Sequence, residues 1–181
     1  MNLVVAVDQN WAIGKNGQLL VHNDYDLEHF KAITTGKTIV YGRKTLETFP
    51  GGKPLKNRTN LVLTRDENFA VEGATIIHDL SELDKYDSSD LYVIGGASIY
   101  EQLYDKCQLA FVTHFEFAAD NPDAFFPNLA KLPNWIVVEE TPIVTVRNDC
   151  RRHPENEDGP KTSMRFVTYR NTDTFPFDDV D

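Results

Sequence analysis

The 181-residue chain is poor in cysteine, in positive charge and in long apolar runs. Two cysteines, Cys107 and Cys150, are too far apart for a paired-cysteine motif and too few for a disulfide framework. They favour reduced thiols and a cytoplasmic protein. No stretch approaches the roughly 18–20 apolar residues of a membrane span, so we expect no membrane partner. The opening MNLVVAVDQN lacks the basic start of a signal peptide and predicts a first strand instead.

The shortage of positive charge bears on possible partners. Eighteen Lys and Arg stand against 28 Asp and Glu, which gives a formal net charge of −10. A field of this sign repels a phosphate backbone, so we expect no nucleic-acid partner. The histidines show no metal-ligand spacing with cysteine or with each other, so we also expect no metal site.

What is present indicates one α/β domain. Hydrophobic residues make up 41% of the chain and charged residues 25%, which is typical of a globular protein. In the first half, short Val- and Ile-rich runs alternate with helical patterns, which favours a mostly parallel sheet wrapped by helices. The predicted strands are Leu3–Val7, Thr38–Tyr41, Asn60–Thr64, Ala74–Ile77 and Leu91–Ile94, and the predicted helices are Tyr25–Thr34, Arg43–Phe49, Leu80–Lys85 and Ser98–Lys106.

The second half predicts an antiparallel end to the sheet. Four further runs read as strands, and no good helix separates the last three: Gln108–Phe117, Trp135–Glu140, Ile143–Arg147 and Ser163–Tyr169. The polar stretch between Asn148 and Lys161 predicts a long exposed loop. We expect the domain to span residues 1–170 and to be followed by an acidic, poorly ordered tail, residues 171–181.

Asp26 is an unusual residue for its position. On a helix it shares one face with Phe30 and Ile33, so a carboxyl group heads an apolar stripe. One interpretation is a helix-terminal charge that acts together with Asn23 and Asp24. The other is a half-buried acid whose pKa is raised by apolar surroundings and which serves in proton transfer.

Three predicted strands end in turns suited to anions. Gly42-Arg43-Lys44-Thr45 follows the second strand, Thr64-Arg65 the third, and Gly95-Gly96-Ala97-Ser98 the fifth. Glycines allow close approach of a ligand, and free N–H groups at a helix start favour phosphate. Because open α/β sheets bind ligands at the carboxyl ends of their strands, the three turns together predict a phosphate-rich cofactor.

Several ordered motifs within residues 1–170 match one known family. They are Ala12-Ile13-Gly14-Lys15-Asn16-Gly17, Asp26-Leu27 with Phe30-Lys31, Gly42-Arg43-Lys44-Thr45 with Glu47, Pro54-Leu55 with Arg58-Thr59-Asn60, Val93-Ile94-Gly95-Gly96-Ala97 with Ile99-Tyr100, Thr113-His114, and Phe126-Pro127. On these motifs the chain resembles the dihydrofolate reductases. The resemblance implies a single three-layer domain, with helices on both faces of an eight-stranded sheet that is parallel except for its last strand.

The resemblance also implies an activity and a set of substrate contacts. The expected reaction is the NADPH-dependent reduction of 7,8-dihydrofolate to tetrahydrofolate for one-carbon metabolism, by a monomer. Hydride would reach C6 of the pterin, and Asp26, supported by Thr113, would promote protonation at N5. Arg58 would pair with the α-carboxylate of the glutamate tail. The folate pocket would be lined by Val4, Val5, Ala6, Leu27, Phe30, Phe49 and Leu55.

The cofactor contacts that the resemblance implies fall into three groups. The nicotinamide would be framed by Ala6, Ile13, Gly14 and Tyr100. The adenosine 2′-phosphate would be held by Arg43, Thr64 and Arg65. The pyrophosphate would meet Lys44, Thr45, Gly96, Ala97, Ser98 and Ile99, with Gly42, Ile94 and Gly95 in the same site and a cis peptide between Gly95 and Gly96.

Three departures from the family pattern fall in loops near the site. Leu20-Val21 replaces Pro-Trp, Asn23-Asp24 replaces Leu-Pro, and Asn121-Pro122-Asp123 replaces a Gly-Asp turn. Two alternatives stay open: a reductase of the same fold for a riboflavin-pathway pyrimidine, and a non-catalytic NADP-binding protein. Arg58 argues against the pyrimidine, which has no carboxylate tail to pair with it.

Overall fold

The computed structural model describes residues 1–155 and 157–174. Within these residues the chain forms twelve strands and three α-helices. The strands are β1 (Asn2–Val7), β2 (Ala12–Lys15), β3 (Gln18–Leu19), β4 (Thr38–Gly42), β5 (Thr59–Leu63), β6 (Ala74–Ile77), β7 (Leu91–Gly95), β8 (Leu109–Phe115), β9 (Ala124–Phe125), β10 (Trp135–Glu140), β11 (Val144–Arg147) and β12 (Lys161–Asn171). The helices are α1 (Asp24–Thr34), α2 (Arg43–Leu46) and α3 (Ala97–Leu103).

The main sheet has the order β10-β12-β8-β1-β7-β4-β5-β6, and β11 also pairs with β12. The six strands from β8 to β6 are mutually parallel, whereas β12 is antiparallel to β8, β10 and β11. The predicted fold class, a mostly parallel α/β sheet with an antiparallel last strand, is therefore confirmed. The hairpin strand β11 is an addition to the expected eight strands.

Hydrophobic side chains cover both faces of the sheet. On one face the larger cluster joins Leu3, Val7 and Val93 to Ile99 and Leu103 of α3. On the other face Ile39, Tyr41 and Val62 pack with Leu46 of α2. Because successive side chains of a strand point to opposite faces, continuous apolar runs such as the one in β4 supply both clusters.

Local structure differs from the prediction in two places. The segment Leu80–Lys85 is a 3₁₀-helix whose first turn is capped by Asp79, and Oδ1 of that residue accepts the N–H of Ser81 at 2.8 Å. A separate small sheet, β3-β2-β9, was not predicted. Its strands are two to four residues long, too short for a periodic apolar pattern.

The last strand and its contacts continue past residue 170, where the sequence predicts the end of the domain. Asn171 is the last residue of β12 and is fully buried. Its side-chain amide donates to the backbone carbonyls of Asp105 and Cys107, each at 3.1 Å. The Thr174 hydroxyl also donates to the Cys107 carbonyl at 3.1 Å. The domain thus extends at least to residue 174. The rest of the predicted tail, residues 175–181, lies outside the described residues, and its disorder stays a prediction.

The described residues also bear on membrane insertion and on metal binding. None of the helices found there has the length and apolar character needed to cross a bilayer. Nor does that part of the chain hold three or more His, Cys, Asp or Glu side chains placed to bind one metal ion.

Candidate active site

Asp26 lies in the first turn of α1 and faces the sheet. Its Oδ1 accepts a hydrogen bond from the Thr113 hydroxyl of β8 at 2.7 Å. The cap of α1 is Asn23, whose Oδ1 accepts the backbone N–H groups of Tyr25 and Asp26 at 3.0 and 3.1 Å. Because Asn23 caps the helix, the Asp26 carboxyl is left for other chemistry. This arrangement favours the proton-transfer interpretation over the helix-terminal charge.

The surroundings of Asp26 change its proton affinity. Burial raises the pKa of this carboxyl from its ordinary value of 3.8 to about 6, and the Thr113 hydrogen bond opposes the rise. Burial dominates because removing a carboxylate from water costs more than one hydroxyl donor returns. A pKa near 6 leaves both protonation states accessible close to neutral pH, as a proton-transfer group requires.

The predicted folate pocket in front of Asp26 would be formed by β1 and α1. In the register of β1 against β8, Ala6 pairs with Thr113, so Ala6 and Val4 share the face of the sheet that Thr113 occupies. Val5 pairs with Val112, and its side chain belongs to the cluster on the opposite face. Because side chains alternate along a strand, any contact of Val5 with the predicted folate pocket would come from its backbone.

The outer part of this pocket is apolar, with one cation. Leu27 and Phe30 lie on α1. Phe49 and Leu55 pack against the smaller hydrophobic cluster, which contains Ile39 and Tyr41. The Arg58 guanidinium lies 5.8 Å from the Phe30 ring centre. Its Nε donates to the Thr34 hydroxyl at 3.1 Å and its Nη1 to the Lys56 carbonyl at 2.8 Å. The contacts with Thr34 and Lys56 thus hold the Arg58 guanidinium near Phe30.

The turns after β4 and β7 lie against each other, because these strands are neighbours. The peptide between Gly95 and Gly96 is cis, as the resemblance implied. Gly95 has a φ of +138°, and a Cβ there would lie 3.3 Å from the Thr45 Oγ1. A Cβ on Gly42 would lie 3.4 Å from the Ile99 Cγ1. A side chain at Gly42 or Gly95 would therefore be tightly packed against the neighbouring turn, and the φ of Gly95 further disfavours one there.

Helix α3, which follows the Gly95-Gly96 turn, contacts β1 through Tyr100, and β1 in turn contacts β2. The Tyr100 hydroxyl donates to the Val4 carbonyl at 2.5 Å, which places its ring beside the strand that carries Ala6. Ile13 and Gly14 lie on β2, which contacts β1. Ile94 precedes the cis peptide on β7. The predicted nicotinamide contacts thus come from two strands, β1 and β2, and from helix α3.

A cleft of about 370 Å³ opens at the carboxyl ends of β5 and β6. Predicted cofactor residues line it together with others that sequence reasoning missed; the predicted ones are Thr64, Arg65, Ser98 and Ile99, and the missed ones are Leu63, His78, Asp79, Leu80 and Gln102. Nδ1 of His78 makes a 2.8 Å hydrogen bond with the Thr64 carbonyl. His78 and Asp79 directly follow β6, so the strand-end rule applied to that strand would have found both.

Arg43, the other predicted phosphate ligand, is engaged elsewhere. Its Nη1 lies 3.0 Å from the Asp66 Oδ2, and its guanidinium stacks 4.3 Å above the Phe69 ring centre. The structure therefore brings Arg65 into the cleft and pairs Arg43 with a carboxylate. The ion pair is half exposed and so worth little, which leaves Arg43 free to exchange partners.

The third departure from the family pattern is accommodated by the backbone. Asn121 has a φ of +48°, the left-handed region that Asn tolerates better than most residues. Asp123 keeps its place: its Oδ2 accepts the Asn16 N–H at 2.9 Å, and its own N–H donates to the Gly14 carbonyl at 3.1 Å. The loop after β8 thus holds the turn after β2.

Taken together, these features define a class of protein. A cleft opens at the carboxyl ends of parallel strands, and a carboxyl group of raised pKa lies beside β1 and β8. This combination is typical of a nucleotide-dependent oxidoreductase. The family model described as "Dihydrofolate reductase" matches residues 1–155. The chain belongs to the dihydrofolate reductase family.

Relatives and solved structures agree with this assignment. A dihydrofolate reductase of Staphylococcus aureus (strain Mu50) is 39% identical over 127 residues, which are 70% of this chain and 77% of that protein. One of Bacillus subtilis (strain 168) is 35% identical over 142 residues, 76% of this chain and 81% of that protein. The dihydrofolate reductase of Enterococcus faecalis, solved with NADP(H) and RAB-propyl, aligns with a TM-score of 0.73 and 30% identity over 94% of this chain and 95% of its own.

Three predictions are confirmed by this membership. They are the family itself, the enzyme class of NADPH-dependent oxidoreductase, and NADPH as the cofactor.

Proposed function

We propose that this protein reduces 7,8-dihydrofolate to 5,6,7,8-tetrahydrofolate at the pocket between β1, β8 and α1, and so serves one-carbon metabolism. The observation that carries the proposal is the Asp26–Thr113 pair, a carboxyl of raised pKa at the base of an apolar pocket. The reaction needs one hydride and one proton, and the described part of the site contains one acid fitted to supply the proton.

The residues present fit NADPH. The close-packed glycine turns would admit the pyrophosphate, and Lys44, Thr45 and Ala97 would lie beside it. In the cleft, Arg65, Thr64 and Ser98 supply donors for a phosphate on the adenosine. When bound, NADPH supplies the hydride that reaches C6 of the pterin.

The chain's own residues then orient the substrate and provide the proton. Asp26 would hold the pterin ring by hydrogen bonds and promote protonation at N5, and Thr113 would fix the orientation of its carboxyl. Leu27, Phe30, Phe49 and Leu55 would exclude water from the ring and its linker. Arg58 would hold the α-carboxylate of the tail by a charge-assisted hydrogen bond. The cytoplasmic location and the monomeric state stay predictions.

An assay of absorbance at 340 nm tests the proposal, because NADPH oxidation lowers it. We expect dihydrofolate-dependent oxidation by the purified protein. The riboflavin-pathway pyrimidine is offered in parallel. Oxidation with that compound and not with dihydrofolate would assign the other substrate, and oxidation with neither would support a binding protein without turnover.

Arg58→Ala is expected to raise KM for dihydrofolate by about 10- to 150-fold, because a charge-assisted hydrogen bond contributes about 1.5–3 kcal/mol. The matched control is a pterin substrate without the glutamate tail, whose KM should change little. Steady-state kinetics on both substrates measures the difference. An equal rise for both substrates would mean that Arg58 supports the fold, through Thr34 and Lys56, and not the tail.

Val21 stands where the family pattern has Trp, and it is half-buried just before α1. Val has neither an aromatic ring nor an N–H donor to place beside the pterin, so we expect Val21→Trp to improve kcat/KM for dihydrofolate a few-fold. Overpacking by the larger ring commonly costs about 1–3 kcal/mol, so thermal unfolding is recorded with single-turnover hydride transfer. A variant of parental stability with no gain would show that the loop is already adapted to Val21.

A further inference from the structure

The connection between β11 and β12 docks on the first turn of α1, the helix that carries Asp26. Asn148, the first residue of this connection, makes two contacts there. Its backbone carbonyl accepts the N–H of Asp24 at 3.1 Å. Its side-chain Oδ1 accepts a hydrogen bond from the Asn23 Nδ2 at 3.0 Å. The predicted exposed loop therefore begins with a residue fixed against the helix.

Asn23 uses both ends of its side-chain amide. The oxygen caps α1 by accepting the N–H groups of Tyr25 and Asp26, and the nitrogen donates to Asn148. A half-turn of the amide would break both sets of bonds, so the helix N–H groups and Asn148 together fix the orientation in which the oxygen meets the helix. Asn23 is 2% exposed, so water has little access to replace either partner.

Asn148 is itself held by the base of the hairpin. Its Oδ1 accepts a second hydrogen bond, from the Thr162 hydroxyl at 2.6 Å. Its backbone N–H donates to the Pro160 carbonyl at 2.8 Å. Thr162 is buried and pairs with Val146 across the hairpin. The hairpin of the sheet thus fixes the position of Asn148, and Asn148 in turn is bonded to the first turn of α1.

A second contact further along the connection supports the first. The backbone N–H of Arg151 donates to the Asp24 Oδ2 at 2.9 Å. The Arg151 guanidinium forms an ion pair with Glu28, one turn further along α1. Both groups are exposed, so this pair adds little strength by itself. It shows that the connection follows the helix over more than one turn.

These contacts depend on the Asn23-Asp24 departure from the family pattern. Leu in place of Asn23 would have no amide to donate to Asn148. Pro in place of Asp24 would have no N–H for the Asn148 carbonyl. The Asn23-Asp24 replacement before α1 and the long connection after β11 therefore act together to hold the start of α1, although they lie far apart in the sequence.

Resting on the proposed function, we propose that Asn148 is a positioning residue for the reaction: through Asn23 it fixes the first turn of α1 and so holds the Asp26 carboxyl beside Thr113. Asn148 acts on the helix and not on the substrate. Misalignment of a catalytic group lowers turnover far more than it lowers cofactor binding, and this difference makes the role measurable.

Asn148→Ala removes the acceptor of both side-chain bonds. We expect kcat for dihydrofolate to fall about 5- to 50-fold while KM for NADPH stays within about twofold. Asn134→Ala is the matched control, because it removes a similar amide pair, Asn134 Nδ2 to Asn171 Oδ1 at 3.1 Å, next to the first strand residue of β10. This control should leave kcat unchanged.

Asn23→Ser breaks the same link from its other end, because serine keeps a capping oxygen and lacks the nitrogen donor. We expect it to lower kcat as Asn148→Ala does, and the double variant to be no slower than either single one. This variant also covers the case in which Asn148→Ala does not fold. Additive losses, or a change in thermal stability alone as for Asn134→Ala, would overturn the proposal.

A readout without turnover separates this inference from the proposed function. Amide NMR shifts of Asp26 and Thr113 should change in Asn148→Ala and Asn23→Ser, and stay as in the parent in Asn134→Ala. Unchanged shifts in the first two variants would refute the positioning role whatever the activity. Failure of the parent to oxidise NADPH with dihydrofolate would refute the proposed function instead.

Discussion

Asp26→Asn is expected to lower kcat for dihydrofolate by about 10²–10⁴-fold at neutral pH, the scale of a lost general acid. The Asn oxygen can still accept the Thr113 hydroxyl, so the substitution removes the proton and keeps the contact. In the parent the rate should fall as pH rises through the pKa of Asp26, which is about 6 in the free protein. The reason is that a smaller fraction of the Asp26 carboxyl is then protonated. Stopped-flow hydride transfer across pH 5–9 measures both effects.

The same substitution should stabilise the protein at high pH. The folded-state pKa of about 6 lies above the ordinary 3.8, so the stability that this carboxyl contributes is present below about pH 4 and is lost as pH rises through 6. At pH 8 the difference corresponds to an upper bound of about 3 kcal/mol. Asn does not ionise, so urea unfolding should show Asp26→Asn to be about 1–3 kcal/mol more stable at pH 8 and nearly equal at pH 4.

An identical change at an exposed position controls for the removal of a charge. Asp84 is exposed on the 3₁₀-helix Leu80–Lys85. Asp84→Asn should therefore alter neither the rate nor the pH dependence of stability by a comparable amount. An Asp26→Asn variant with parental kcat would mean that Asp26 is only a helix-terminal charge and not the proton donor.

NADPH is expected to be preferred over NADH by about 10²–10⁴-fold in kcat/KM, if two arginines each add a charge-assisted hydrogen bond of about 1.5–3 kcal/mol to the 2′-phosphate. The two arginines are not equivalent. Arg65 lines the cleft, whereas Arg43 must first leave Asp66. We therefore expect Arg65→Ala to remove about 10- to 150-fold of the preference and Arg43→Ala to remove less.

Steady-state kinetics with both cofactors measures this preference in the parent and in each variant. The reaction with NADH should be nearly unaffected by Arg65→Ala, because NADH lacks the phosphate. Arg152→Ala, an exposed arginine of the β11–β12 connection, controls for net charge. Equal kcat/KM for the two cofactors in the parent would contradict the assignment of Arg43, Thr64 and Arg65.

Most of the main sheet could be predicted from the sequence, because its strands carry a strong local signal. Runs such as Thr38–Tyr41 are short, rich in β-branched residues and apolar on both faces, a pattern typical of parallel strands that are covered on both sides. The helix that carries Asp26 was predicted within one residue of its observed start, Asp24, because the apolar spacing of Phe30 and Ile33 is also local. The turns after β4, β5 and β7 could also be predicted, because their glycines and cations directly follow the apolar runs of these strands.

Contacts between distant segments could not be predicted in this way. The small sheet joins β2 to β9, and the Asn23–Asn148 pair joins residues 125 positions apart. The pairing of Arg43 with Asp66 likewise depends on how two neighbouring strand ends are placed. No periodicity encodes such pairs, because each partner is polar and looks like any loop residue until the chain is folded.

The sequence by itself thus determined the class of fold, because its strands and helices follow from residue type and spacing within one or two elements. The same local patterns predicted the cofactor-binding edge of the sheet and singled out Asp26 as the candidate acid. Only the tertiary structure decided that Val5 faces away from the pocket, that Asn171 belongs to the domain, and that Asn148 holds the cap of α1. The physical reason is that strand register and hydrogen bonding between distant segments are set when the whole sheet assembles, since buried polar groups must then find partners wherever the fold places them.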